Sequence, residues 1–304
     1  MDMDLPNFLI VGAAKSGTTS LYQYLRRHPD IFMPYLKEPG FLTAPEPYGR
    51  IETLDEYRHL FAKATSETAV GEASPIYLPD PNAPERIENV LGTETKMLII
   101  LRNPIDAVHS LWGHRKRQKR ETRTFRDAIQ ASIDRFEEAP IQEAVTALKQ
   151  SASPYPYIYQ MRYSAQVSRY LQRFPNCKIL LFENVFNDIE RYYAEICRFL
   201  GVDSEFKPKI KRYNRSGETR SDLVHRLISE RNIIKDLFKK FTSLEFRKRA
   251  KEFVRFINTE PKDLDSLSDD ERYWLVDLFD DDVKCLQSLL DVNVEEAWCD
   301  FQIR

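Results

Sequence analysis

The run Phe8-Leu9-Ile10-Val11 constrains this chain most, because a glycine turn and a helical pattern come directly after it. Four consecutive apolar side chains leave no solvent face, so the segment reads as a strand buried on both sides, the kind a parallel sheet uses. Gly12 to Gly17 then form a glycine-containing turn. From Thr18 the residues Leu21, Tyr24 and Leu25 recur at helical spacing until His28-Pro29 ends the pattern. Lys96 to Leu101 is a further buried strand, stopping at Arg102-Asn103-Pro104 with a helix after it. Ala69 to Glu72 and Lys178 to Phe182 read as shorter strands. Helical spacing marks 55–61, 84–91, 124–138, 158–174, 189–200 and 269–290, and Pro34 to Tyr48 is irregular. Strands that alternate with helices predict an α/β fold, a parallel sheet flanked by helices on both faces, as one domain over residues 1–304.

Charge narrows the function. Lys plus Arg number 45 against 47 Asp plus Glu, a net charge of −2, which argues against a general nucleic-acid or membrane-surface binder. Cys177, Cys197, Cys285 and Cys299 form no C-x-x-C pair and sit beside no histidine at metal spacing. Four reduced thiols in a reducing compartment are expected, with a Cys285–Cys299 disulfide the alternative. The start Met1-Asp2-Met3-Asp4 is acidic, unlike a signal peptide. No apolar run approaches the about 20 residues that cross a bilayer. The expectation is a cytoplasmic protein without a membrane span.

The first turn is a natural anion site. Backbone N–H groups at a helix start are free, and the helix dipole favours negative charge there. Lys15 adds a cation, Ser16, Thr18, Thr19 and Ser20 add hydroxyls, and Gly17 admits a close ligand. The glycine spacing is that of a nucleotide-triphosphate loop, yet Thr18 stands where such a loop has its lysine, and Lys15 lies inside the turn. The strand expected to end in a magnesium-directed aspartate ends in Arg102. A cation there repels a metal and attracts a second phosphate. The pattern suits a metal-free ligand with two separate anionic ends.

Together, Lys15-Ser16-Gly17-Thr18-Thr19 and Arg102-Asn103-Pro104 with Ser110 resemble the sulfotransferases that use 3′-phosphoadenosine 5′-phosphosulfate (PAPS). Lys37-Glu38-Pro39-Gly40-Phe41 and Gly71-Glu72-Ala73-Ser74-Pro75 with Tyr77 resemble active-site segments of bacterial and glycan-type members, and Asn214 to Arg220 resembles their late loop over the nucleotide. The resemblance implies a P-loop-like α/β fold and metal-free transfer of a sulfuryl group from PAPS to an acceptor hydroxyl of a carbohydrate, lipid or small molecule. It implies that Lys15 to Ser20 hold the 5′-phosphosulfate, with Lys15 also catalytic. Arg102 and Ser110 hold the 3′-phosphate, with Arg220 a further candidate, and Phe182 lies near the adenine. Glu38 is the implied general base.

Sulfuryl transfer to a hydroxyl needs a proton acceptor, and Glu38 lies on a loop expected near the strand ends where α/β ligands bind. Beside Lys37, it also reads as half of a surface ion pair. His114, on the helix after Arg102, is the second candidate base. Two positions depart from the glycan-type pattern: Gly40 where histidine is common, and Ala73 where some members have lysine. Arg115, Lys116, Arg117, Lys119, Arg120 and Arg123 read as a solvated helix end or a cationic rim. Tyr155, Tyr157, Tyr159 and Tyr163 read as core or as a stacking surface for an acceptor. The alternatives are a P-loop kinase-like phosphotransferase, a non-catalytic nucleotide-binding module, and a nucleic-acid binder using the basic run.

Overall fold

The computed structural model describes residues 5–43, 51–138, 156–208, 217–219, 259–261 and 266–302. Five parallel strands make the central sheet in the order β2-β3-β1-β4-β5: β1 Phe8–Gly12, β2 Ile31–Phe32, β3 Ala69–Ala73, β4 Lys96–Leu101 and β5 Cys177–Leu181. β1 lies in the middle, with Phe8 opposite Gly71 of β3 on one side and Lys96 of β4 on the other. That position explains its sequence: all five of its residues are buried.

The strand side chains alternate between two cores. Leu9, Val11, Met97, Ile99 and Leu101 face one. Phe8, Ile10, Leu98, Ile100 and Leu180 face the other. Helix α1 (Thr18–Leu25) and α9 (Ile189–Leu200) cover the second face. The first face is covered by α2 (Leu54–His59), α3 (Ala83–Leu91), α4 (Pro104–Arg117), α5 (Phe125–Glu138), α6 (Tyr157–Met161), α7 (Ser164–Arg173) and α10 (Asp269–Leu289). Helix α8 (Phe182–Asn187) comes directly after β5, α11 (Val294–Ala297) comes after α10, and a single 3-10 turn, Cys299–Phe301, comes last. Tyr57, Trp298 and Phe301 share one core with β1 and β4.

Local signals set most helix starts. Thr53 and Ser268 head α2 and α10 in capping boxes with Glu56 and Glu271. The Thr124 hydroxyl accepts the Asp127 N–H at 3.3 Å and so starts α5 one residue later than expected. Three findings differ from the sequence expectations. The helix expected over 158–174 is two, α6 and α7, because Arg162 turns to an extended conformation. Asp282 of α10 accepts the Tyr163 N–H at 2.6 Å and the Ser164 N–H at 3.3 Å, capping α7 from outside. β2 is an added strand. β5 ends at Leu181, so Phe182 opens a helix instead of closing a strand.

A separate antiparallel ladder pairs β6 (Gly217–Thr219) with β7 (Thr259–Pro261), and β6 lies beside α4. The four cysteines are free thiols, Cys197 buried and Cys285 and Cys299 exposed. No helix among the described residues is long and apolar enough to cross a membrane.

Candidate active site

From β1 the chain turns toward β3, while from β4 it turns toward β5. Their carboxyl ends therefore open into the crevice where ligands bind in such sheets. The two ends are bonded together: Ala13 N–H donates to the Ile100 carbonyl at 2.7 Å. The loop after β1 then bends through two left-handed residues, Lys15 at φ 66 and Gly17 at φ 78. Such a bend turns successive N–H groups toward one point ahead of α1. Glycine is required at position 17 twice over, by its φ and because a Cβ would lie 2.4 Å from the Phe186 ring.

Arg102, at the end of β4, reaches this loop. Its guanidinium donates to the Lys15 carbonyl at 3.3 Å and lies over the Phe182 ring, 4.7 Å from the centroid. Its Nε–H is buried without a hydrogen-bond partner among the described residues. So is the hydroxyl of Ser16, a fully buried side chain that the Tyr163 phenol stands beside. Orphaned buried donors are rare, and here two of them flank one helix start. An anion with several acceptor oxygens satisfies both. Thr18 and Ser20 are buried in the first turn of α1, and Thr19 and Ser110 are half-buried.

The electrostatics are those of a crowded cationic pocket. Burial, then Arg117 and Arg102, lower the Lys15 pKa from 10.5 to about 8, with Glu38 opposing the shift. Burial, then Lys15 and Arg117, lower His114 to about 4, so its imidazole is neutral at pH 7. His114 Nε2 hydrogen-bonds Gln118 at 2.8 Å. Arg117 reads in the sequence only as part of a basic rim, yet it acts on Lys15 and His114. Ser110, His114 and Arg117 recur at helical spacing and so share one side of α4. That spacing was the signal in the sequence.

The Arg102 turn is held from the far end of the chain. Asn103 N–H donates to Glu183 at 3.0 Å, and Asn103 Nδ2 donates to Asp300 at 2.7 Å. Trp298 donates to the other Glu183 oxygen at 2.9 Å, and Arg272 bridges Asp300 and Asp106 at 2.9 Å each. No motif announced Glu183, Asp300 or Arg272.

Glu38 stands on the loop between β2 and α2. It is exposed, paired with Lys37, and held at φ 59. A left-handed glutamate costs roughly 1–2 kcal/mol, a strain typical of residues that surrounding structure holds for a purpose. Its N–H donates to the Ala73 carbonyl at 3.0 Å, which ties the loop to the end of β3. Gly40 has φ 68, a left-handed conformation that glycine adopts at no steric cost.

A family model described as "Sulfotransferase domain" matches residues 5–255. The chain belongs to the sulfotransferase domain family. Its five-stranded parallel sheet with the loop after β1 is the P-loop-like α/β arrangement of that family. A sulfotransferase structure from Alicyclobacillus acidocaldarius superposes with a TM-score of 0.68 at 28% identity, covering 96% of this chain and 98% of that one. The membrane-associated sulfotransferase kil1 of Dictyostelium discoideum is 33% identical over 102 residues, 34% of this chain and 21% of that protein. Human heparan sulfate glucosamine 3-O-sulfotransferase 3B1 is 25% identical over 204 residues, 65% of this chain and 46% of that protein. The chain thus spans less than half the length of these curated relatives.

The sulfotransferase fold brings together Lys15, Ser16, Gly17, Thr18, Arg102, His114 and, through its charge on Lys15, Glu38. Arg220 lies outside the described residues, as does Tyr155. Tyr157, Tyr159 and Tyr163 are at most 5% exposed, so these three belong to the core and form no stacking surface. Phe182 packs under Arg102 and 4.6 Å from the Phe186 ring. The basic run is partly folded onto aromatics, Arg115 over Tyr157 at 4.2 Å and Lys116 over Trp112 at 5.0 Å. Among the described residues, no group of three or more His, Cys, Asp or Glu is placed to hold a metal ion.

Proposed function

We propose that this sulfotransferase moves a sulfuryl group from PAPS to an acceptor hydroxyl without a metal. The observation that carries this is the meeting of Lys15, the orphaned Ser16 hydroxyl and Arg102 at one helix start. When bound, PAPS supplies the sulfuryl group, whose bond to the 5′-phosphate oxygen breaks as the acceptor oxygen bonds to sulfur and PAP (3′-phosphoadenosine 5′-phosphate) leaves. Lys15, the N–H groups of Gly17 to Thr19 and the hydroxyls of Ser16, Thr18, Thr19 and Ser20 hold the 5′ end and offset charge growing on the leaving oxygen. Arg102 and Ser110 take the 3′-phosphate, with Arg220 assigned there by family resemblance. Glu38 receives the acceptor's proton. Its strained, exposed position, near enough to Lys15 to act on that charge, supports this role. His114, whose imidazole is neutral at pH 7 and hydrogen-bonded to Gln118, is the second candidate base.

The acceptor belongs to the carbohydrate, lipid or small-molecule hydroxyls. The relatives named for heparan sulfate favour a glycan. We also propose that the chain is one domain, since Trp298 and Phe301 pack into the core that holds β1. Free thiols favour a cytoplasmic location, which fractionation of tagged protein tests.

The test of the nucleotide is thermal shift with PAP, AMP, and ATP plus Mg²⁺. A ligand that binds the folded state alone raises its melting temperature. PAP should stabilise strongly without metal, and AMP little. Equal stabilisation by AMP refutes the 3′-phosphate role of Arg102, and stabilisation by ATP–Mg²⁺ alone favours a kinase-like protein. Glu38→Gln should abolish transfer from labelled PAPS to a pool of acceptors while leaving PAP binding intact. An active Glu38→Gln enzyme moves the base to His114 or elsewhere.

A further inference from the structure

Glu72 is a buried carboxylate beside the Glu38 loop, and sulfuryl transfer leaves it without a task. It sits on β3, one residue before the strand's end, and is 1% exposed. A carboxylate in that position costs several kcal/mol unless hydroxyls or cations meet it. Hydroxyls do. Ser74 Oγ donates to Glu72 Oε2 at 2.8 Å, and the Tyr57 phenol donates to Oε1 at 3.4 Å. Tyr77 adds a third hydrogen bond. Lys37 contributes the nearby positive charge.

What these hydroxyls do with their other side gives the group its meaning. A hydroxyl has one proton and two acceptor lone pairs. Ser74 and Tyr77 direct their protons to Glu72, so only lone pairs remain for the loop above. Each hydroxyl uses one of them. Gly40 N–H donates to Ser74 Oγ at 3.3 Å, and Leu42 N–H donates to the Tyr77 oxygen at 3.4 Å. With the Glu38 N–H on the Ala73 carbonyl, alternate amides 38, 40 and 42 are tied to one edge. Phe41 stacks on Tyr57, centroids 4.7 Å apart, so the same tyrosine that bonds Glu72 also seats the loop from below.

We propose that Glu72 is a positioning residue: its carboxylate fixes the Ser74 and Tyr77 hydroxyls as acceptors for the Gly40 and Leu42 amides, and so holds the backbone that presents Glu38. An amide in place of the carboxylate carries its own N–H, which turns one of these hydroxyls around and aims a proton at a loop N–H. The catalytic meaning of this arrangement rests on Glu38 as the base. The arrangement itself is testable without any acceptor.

The test is amide hydrogen exchange, read residue by residue at pH 8 on the full chain, with PAP affinity measured on the same samples. Glu72→Gln should speed exchange by roughly fivefold or more at Gly40 or at Leu42, whichever amide faces the reversed hydroxyl, the loss of about one hydrogen bond. Ser74→Ala should speed Gly40 alone, and Tyr77→Phe should speed Leu42 alone, which keeps the test open if Glu72→Gln folds poorly. PAP affinity should stay within about twofold in all three, since none touches the phosphate cradle. Unchanged exchange at both amides overturns the proposal, whatever Glu38→Gln does to turnover. Equal acceleration along all of β3, or loss of PAP binding, overturns it too, because Glu72 would then support the core at large. Activity of Glu38→Gln tests the base separately.

Discussion

Lys15 gives the sharpest quantitative test of the site. Its pKa of about 8 arises from burial and from Arg117 and Arg102. About half of the free molecules therefore lack the ammonium proton at pH 8. A phosphate-bearing ligand brings negative charge against Lys15 and restores the proton. PAP binding should then take up about half a proton at pH 8 and nearly one at pH 9. The affinity should fall about tenfold between pH 7 and pH 9, as the protonated fraction does, a loss of about 1.4 kcal/mol. His114 titrates near 4 and adds nothing in this window. Calorimetry of PAP binding in buffers of different ionisation enthalpy measures the proton uptake directly. Lys15→Arg, which keeps its charge to high pH, should abolish both the uptake and the slope. PAP binding at pH 8 to 9 with no proton uptake refutes the reasoning, because an ordinary exposed lysine behaves that way.

Three other perturbations have defined outcomes. Burial raises the Glu72 pKa from 4.5 to about 7, so between those values the folded state binds the extra proton and stability falls as pH rises. The span is on the order of 3 kcal/mol, and Glu72→Gln should flatten that part of the urea-unfolding profile between pH 5 and pH 7.5. Gly17→Ala forces a Cβ to 2.4 Å from the Phe186 ring at φ 78, and should cost about 2 kcal/mol or more in chemical denaturation; an unchanged midpoint contradicts the loop geometry. Arg102→Lys keeps the charge but loses the planar contact with Phe182 and the guanidinium hydrogen bond to the Lys15 carbonyl, so titrations should show PAP affinity dropping about tenfold and AMP affinity nearly unchanged.

What the sequence by itself determined is what short-range chemistry can write. The unbroken run Phe8 to Val11 marked a strand buried on both sides because no residue in it tolerates water. Lys15 inside the turn and Arg102 at a strand end raised the expectation of a two-ended anion site because each lies beside a signal for its own element. Thr53 and Ser268 belonged to local capping pairs. The tertiary structure alone decided which distant groups meet. It placed Arg102 on the carbonyl of Lys15, 87 positions away. It broke the helix at Arg162 with a carboxylate 119 positions from Tyr163. It buried the three tyrosines 157, 159 and 163 and put Glu72 beneath the loop of Glu38. Periodicity reports how a residue faces its own element. Burial and pKa depend on what the fold brings against that face, and a glutamate reads the same in sequence whether water or a ring of hydroxyls surrounds it.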